Sequence, residues 1–290
     1  MKTNVDCIPC FTRHALEAAR TVGLDEARTV LLMNDVLKML QSLNWSEPPP
    51  VMARDIHRLI KKRIENPDPF EQHKRQSTKD ALKHLPKIRD CVAKSDNPFA
   101  TAVRFAIAGN AIDLGAKTAH EINISHIFQT ALDTPVDESA IGHLEQRVQN
   151  AQRILFLADN AGEIVFDIPL LDLIGKQKLT VAVRGDAVIN DATMDDAERA
   201  GIKGQFNTVS NGSDTPGTWL SDCSIDFKRI FKHSDLIIAK GQGNYETLND
   251  ASQNIFFLFK AKCKVICADA GVPLNSFAII LSEIAKSQIT

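Results

Sequence analysis

The sequence predicts an α/β protein: a mainly parallel sheet with helices on its faces, preceded by an all-α N-terminal region. Two observations carry this. After Gln152, short apolar runs alternate with stretches of helical character, the grammar of strand–helix–strand units. Before Asn150, apolar residues recur at helical spacing and strand-like runs are hard to find. We therefore expect a helical N-terminal domain or cap over residues 1–150 and an α/β domain carrying the chemistry over 151–290.

The helices follow in order. "FTRHALEAARTVG" has apolar residues at helical spacing and stops at Gly23, and "LDEARTVLLMNDVLKMLQSL" makes a longer helix. Pro48, Pro49 and Pro50 break the chain, after which "VMARDIHRLIKKRIEN" starts a helix that ends before Pro67. "DALKHLPKIRDCVAKS" is the next. "NPFATAVRFAIAGNAIDLG" has Asn97 as N-cap, Pro98 at the first helical position and Gly115 just past the end. The strand candidates are "RILFLAD", "LTVAVRGD", "FNTVSNGS", "SDLIIAKGQG" and "CKVICADAG".

Composition bounds the function. The 34 basic and 36 acidic residues leave a formal charge of -2, which argues against broad attachment to nucleic acid or an anionic membrane. The charge run "RLIKKRIENPDPFEQHKRQSTKD" lacks interleaved aromatics for base stacking and reads as a solvated helix and loop. No run approaches membrane-spanning length and the first twenty residues lack a signal-peptide core, so a cytoplasmic protein is expected. Cys7 and Cys10 form one CxxC. Reduced cysteines without a ligand are the ordinary reading; a metal site completed by His14 or another histidine and a redox pair are the alternatives.

In parallel α/β sheets ligands bind beyond the carboxyl ends of the strands. Here the first strand runs into Asp159, Asn160 and Gly162, and the second into Arg184, Gly185 and Asp186, followed by Asn190 and Asp191. The third delivers Asn211, Gly212, Ser213 and Asp214, the fourth Lys240, Gly241, Gln242, Gly243 and Asn244, and the fifth Asp269 and Gly271. Any one such residue serves equally well as a turn former or helix cap. Their convergence at several strand ends favours chemistry. Hard divalent cations take carboxylate and carboxamide oxygens and keep waters or phosphate oxygens in the remaining positions, so Asp159, Asn160 and Asp191 make a suitable incomplete cage. The loops "DNAGEI", with Gly162 and Glu163, and "KGQGNYETL", with Gly241 and Asn244, open into helices and offer backbone N–H groups to an anion. Lys240 is expected to add a mobile positive charge for a phosphate oxygen.

"LADNAGEIVFD", "VRGDAVINDATMDDA", "NGSDTPGTWLSDCS", "AKGQGNYETL" and "KCKVICADAGVPL", with "CIPC" and "RFAIAGNAIDLG", resemble the damage-control phosphatase family in order over nearly the whole chain, and most closely its microbial CxxC branch. The resemblance implies a helical N-terminal part on a Rossmann-like three-layer α/β/α domain. It implies a divalent metal (Mg, Mn, Co or Ni) on Asp159, Asn160 and Asp191, and a phosphate-binding Lys240 with Gly241 and Asn244 beside it. An Arg-Thr-x-Lys motif of some branches is replaced here by "KAKCK", which leaves Lys262 and Lys264 without that role. Asn110 and Asp113 share a helix face with Arg104 about two turns back. Helix packing is the ordinary reading of such a group, and the resemblance adds Arg104 and Asn110 as substrate contacts closing the site from the helical side.

The expected function is hydrolysis of phosphomonoesters of small metabolites, sugar phosphates or damaged phosphometabolites, with a metal-activated water as nucleophile. The double-aspartate signature of aspartyl-phosphate hydrolases is absent, since Asn160 and Ala161 follow Asp159. A methyltransferase using S-adenosylmethionine and a non-catalytic phosphometabolite-binding protein are the alternatives; the first loop carries Asp-Asn where a nucleotide-type fold would carry glycines. The partner expected is a small phosphorylated metabolite, and the oligomeric state is not legible.

Overall fold

A computed structural model of the chain describes residues 1–109 and 124–282. Seven helices come first: α1 (Cys7–Thr21), α2 (Glu26–Leu40), α3 (Pro49–Ile64), α4 (Glu71–Lys94), α5 (Pro98–Gly109), α6 (Ile124–Asp133) and α7 (Glu138–Asn150). Then strands and helices alternate: β1 (Ile154–Leu157), α8 (Ile164–Ile174), β2 (Leu179–Val183), α9 (Met194–Arg199), β3 (Asn207–Ser210), α10 (Ile225–His233), β4 (Leu236–Lys240), α11 (Gln242–Leu248), β5 (Ile255–Lys260), α12 (Lys264–Ala270) and β6 (Phe277–Leu281).

The helix boundaries have local causes. Asp25 accepts from Arg28 N at the head of α2, Asn97 from Ala100 N at the head of α5, and Asp137 from Ser139 N and Ala140 N at the head of α7. Pro49 and Pro50 do not precede α3 but form its first turn, where a missing N–H costs nothing. α5 is almost wholly apolar and buried, with only Pro98 and Arg104 half-buried, as befits a core helix.

The sheet order is β3-β2-β1-β4-β5-β6, with β1 to β5 parallel and β6 antiparallel on the edge. The α/β class and the mainly parallel sheet are as the sequence predicts. The fifth strand is not: "CKVICADAG" folds as α12, closed by Gly271 at φ 67°, and "IFFLFK" is β5 instead. An unbroken apolar run carries no periodicity to separate strand from buried helix. Asp269 therefore stands on a helix, where it accepts from Tyr245 Oη (2.8 Å) and Asn249 Nδ2 (3.0 Å).

Alternation along the strands divides two cores. Ile154, Phe156, Val181, Val183, Ile238 and Phe256 share one with α4, α5, α7 and α8. Leu155, Leu157, Ile237, Ala239 and Phe257 share the other with α10, α11 and α12. The sheet is thus covered on both faces. α1, α2 and α3 keep a third core of their own. α4 is fastened to α9 by Lys74, which is 1% exposed and bonds Asp68 Oδ2 (2.6 Å) and Asp196 Oδ2 (3.0 Å). That part of the expected solvated charge run is therefore buried.

His57, on α3, is buried against Phe70, and its Nε2 has no hydrogen-bond partner. Burial, then the His14 and Lys61 charges, push its pKa down to about 3. Below pH 6.5 the unfolded chain takes a proton at this ring that the folded chain refuses, so the ring's own contribution to stability falls as pH drops from 6.5 towards 3. Between pH 7 and pH 4 this ring alone should remove about 3 kcal/mol. Urea unfolding of wild type and His57→Leu, compared at pH 7 and pH 4, should show their stability difference change by that amount in favour of the variant at the lower pH.

Candidate active site

The strand order reverses between β1 and β4, the crevice where open parallel sheets bind ligands. Asp159 and Asn160 leave β1 there, and Lys240 and Gly241 end β4. Asp191 is brought in by a bridge between Asn160 and Asp191, extended by Ala192 N donating to Asp159 O (2.8 Å) and Ala161 N to Asn190 O (2.9 Å). Arg184, just past β2, donates from its backbone N to Ala192 O (2.8 Å).

The side chains converge on one another. Asn160 Nδ2 donates to Asp159 Oδ2 and to Glu163 Oε2, both at 2.9 Å. Arg184 Nε donates to Asp191 Oδ2 (2.6 Å), and its Nη2 lies 3.7 Å from Asp159 Oδ1. Lys240 Nζ donates to Glu163 Oε1 (2.7 Å) and Asp167 Oδ1 (2.6 Å). Asp159, Glu163, Asp167, Asp191, Arg184 and Lys240 are all buried, and Asn160 is half-buried. Gly241 makes the close approach possible. A Cβ there would stand 1.9 Å from Asp159 Oδ2, and its φ of 80° is open only to glycine at low cost.

Charge in this crevice is unbalanced. Burial, then Glu163 and Asp191, push the Asp159 carboxyl well above the usual range. Burial also raises Asp191, despite Arg184, and takes Asp167 up to about 7 although Lys240 pulls the other way. Burial works against the Lys240 ammonium, but Asp167 and Glu163 more than offset it and its pKa is raised. Among the described residues four carboxyl groups face two cations, a surplus of two negative charges when all are ionised. Among the described residues no three acidic, cysteine or histidine side chains stand as a ready cage. The donors to hand are the oxygens of two carboxylates and a carboxamide, beside a buried guanidinium nitrogen, Arg184 Nη2, that has no hydrogen-bond partner. A hard divalent cation that keeps part of its water fits that charge and that donor set.

Residues 3–276 match the family model described as the damage-control phosphatase ARMT1-like domain. The chain belongs to this family. Damage-control phosphatase relatives include a protein of Archaeoglobus fulgidus, 33% identical over 98% of this chain and 100% of its own length, and one of Pyrococcus horikoshii, 31% identical over 98% and 99%. An uncharacterized protein of Methanocaldococcus jannaschii is 33% identical over 97% and 95%. The fold superposes on a crystal structure of a DUF89 family protein from Pyrococcus horikoshii with a TM-score of 0.87 at 30% identity, covering 98% of this chain and 100% of that one.

Against the expected site, Asp159, Asn160, Glu163, Asp191, Lys240 and Gly241 stand together. Gly162 is in the same turn, its carbonyl accepting from Val165 N. Lys240 is not mobile, since it is fully buried between two carboxylates. Asn244 spends its carboxamide inside the scaffold: Nδ2 bonds Lys240 O (2.7 Å) and Ala158 O (3.3 Å), and Oδ1 accepts from Thr218 Oγ1 (2.7 Å). Arg104 is not brought into the crevice. It bonds Thr134 O (2.9 Å) and Glu138, tying α5 to the end of α6 and the start of α7. Asn110 and Asp113 lie outside the described residues. The six cysteines are free thiols, and burial raises the pKa of Cys7. Sequence reasoning gave no role to Asp167 and Arg184, although an acid four residues after Glu163 in an otherwise apolar helix was a visible signal.

The glycine argument is testable by contrast. Gly241→Ala should cost about 2 kcal/mol or more in urea unfolding, from backbone strain and displacement of Asp159. Gly142→Ala, inside α7 with open space around it, should instead stabilise by about 0.5–1 kcal/mol.

Proposed function

We propose that the chain is a metal-dependent phosphoric monoester hydrolase acting on small phosphorylated metabolites. The observation that carries this is the cluster of four buried carboxyl groups beside two cations at the sheet's switch point, set within a family that includes named damage-control phosphatases. With those carboxyls ionised, such a crevice repels a phosphate dianion unless a cation stands between them. A bound Mg²⁺, Mn²⁺, Co²⁺ or Ni²⁺ would supply charge neutralisation on a phosphoryl oxygen and lower the pKa of a coordinated water.

The chain's own residues divide the remaining work. Asp159, Asp191 and the carboxamide oxygen of Asn160 would hold the cation. Lys240 fixes Glu163 and Asp167, and thereby keeps Glu163 against Asn160. Buried as it is, its charge acts as a stationary field on the crevice and does not reach out to the substrate. α3 is tied to the loops beyond β2 and β3, through Lys61 Nζ to Asp186 Oδ2 (3.0 Å) and Arg58 Nε to Asp214 Oδ2 (2.9 Å).

Phosphate release from sugar phosphates and a chromogenic phosphoester, on chelator-stripped protein titrated with each of the four metals, tests this. Release should require metal and fall by about a thousandfold in Asp159→Ala and in Asp191→Ala. Full metal-dependent turnover by either variant would remove the assignment.

A further inference from the structure

We infer that Arg184 is the positioning residue of the proposed cation centre, holding Asp191 and standing against Asp159 so that both carboxylates face one point. The inference rests on the metal-dependent reading of the site. Arg184 is 1% exposed, which leaves it behind the carboxylates and out of reach of an incoming phosphoester. Its main chain and its side chain grip two adjacent residues. Backbone N bonds Ala192 O (2.8 Å), next to Asp191, while Nε bonds Asp191 Oδ2 (2.6 Å).

The other end of the guanidinium carries the argument further. Nη2 is buried, has no hydrogen-bond partner among the described residues, and meets Asp159 Oδ1 only as an ion pair at 3.7 Å. A buried donor without a hydrogen bond is unfavourable and uncommon in a folded protein. A planar guanidinium presents donors at fixed separations, so one bonded at Nε to the first carboxylate is already aligned on the second. Outer partners of this kind orient metal ligands, and their loss weakens metal binding by roughly 10–100-fold.

A bystander role predicts the opposite sign. If Arg184 only balanced buried charge, removing its positive charge would tighten the binding of a cation a few ångströms away. If it positions the ligands, removal weakens binding. Arg184→Lys separates the two again, because a lysine keeps the charge as a single point and cannot span both carboxylates.

The test is the Mn²⁺ dissociation constant of the full chain, read from the electron paramagnetic resonance of free Mn²⁺, with circular dichroism to check folding. We expect Arg184→Met to bind about 100-fold more weakly and Arg184→Lys about 10-fold more weakly than wild type. Equal or tighter binding by Arg184→Met overturns the inference, as does wild-type affinity in Arg184→Lys. If Arg184→Met does not fold, the lysine variant decides alone. Wild-type protein that binds no Mn²⁺ would overturn the metal reading itself. Binding that is lost in Asp159→Ala but untouched by both Arg184 variants would overturn only the role of Arg184.

Discussion

Four carboxyl groups, those of Asp159, Glu163, Asp167 and Asp191, share one buried crevice with two cationic side chains, Lys240 and Arg184. Most of the local architecture serves to make that tolerable. Each cation is placed between two acids, Lys240 between Glu163 and Asp167, Arg184 between Asp191 and Asp159. Removing one partner of a buried pair costs about 3–5 kcal/mol, because the remaining charge stays uncompensated. Stability alone would be better served by apolar residues of the same volume. The proposed cation would account for a crevice built this way.

The helical part of the chain is bound into this arrangement. Lys74 on α4 anchors Asp196, which also closes the capping box of α9 with Thr193. Lys61 on α3 holds Asp186 and the Ala187 carbonyl at the other end of the same loop. Asp191 lies between these two fastenings. They are not equal in weight. Lys74 is buried, and burial works against its charge while Asp196 and Asp68 raise its pKa. Asp186 is 67% exposed, so its pair with Lys61 contributes little beyond geometry. The loop carrying Asp191 is therefore anchored mainly from α4 and aligned by α3.

Much of this was legible in the residues and the remainder was not, for physical reasons. Asp159, Asn160 and Asp191 could be found because polar residues directly after apolar strands must lie where the sheet ends. Lys240 could be placed at the same edge, but its burial depended on parity. It shares the face of Ile238, which packs towards α8, and α8 with the turn before it brings Glu163 and Asp167 one helical turn apart to that face. Strand register and helix phase had to be combined to see the triad. Arg104 misled because its polar neighbours in sequence suggested a shared site, whereas its guanidinium caps carbonyls at the end of α6. β5 was missed because six consecutive apolar or amphipathic residues give the same signal in a strand and in a buried helix.

The two cations also give the crevice a direction. Both acids beside Lys240 are buried and bonded to it, so that end is closed. At the other end Arg184 Nη2 meets Asp159 as an ion pair at 3.7 Å with no hydrogen bond among the described residues, and Asn160 is the half-buried member of a cluster that is otherwise buried. Its carboxamide touches both ends, giving one bond to Asp159 and one to Glu163. A ligand arriving from solvent therefore meets Asn160 first and reaches Asp159 and Asp191 before it can disturb the Lys240 triad. In the proposed site Asn160 is thus the link between a sealed electrostatic support and the face that would bind the cation. On that proposal the strand ends on an acid followed by an amide because the acid would supply charge to the centre, while the amide, carrying none of its own, bridges two carboxylates without adding another negative charge.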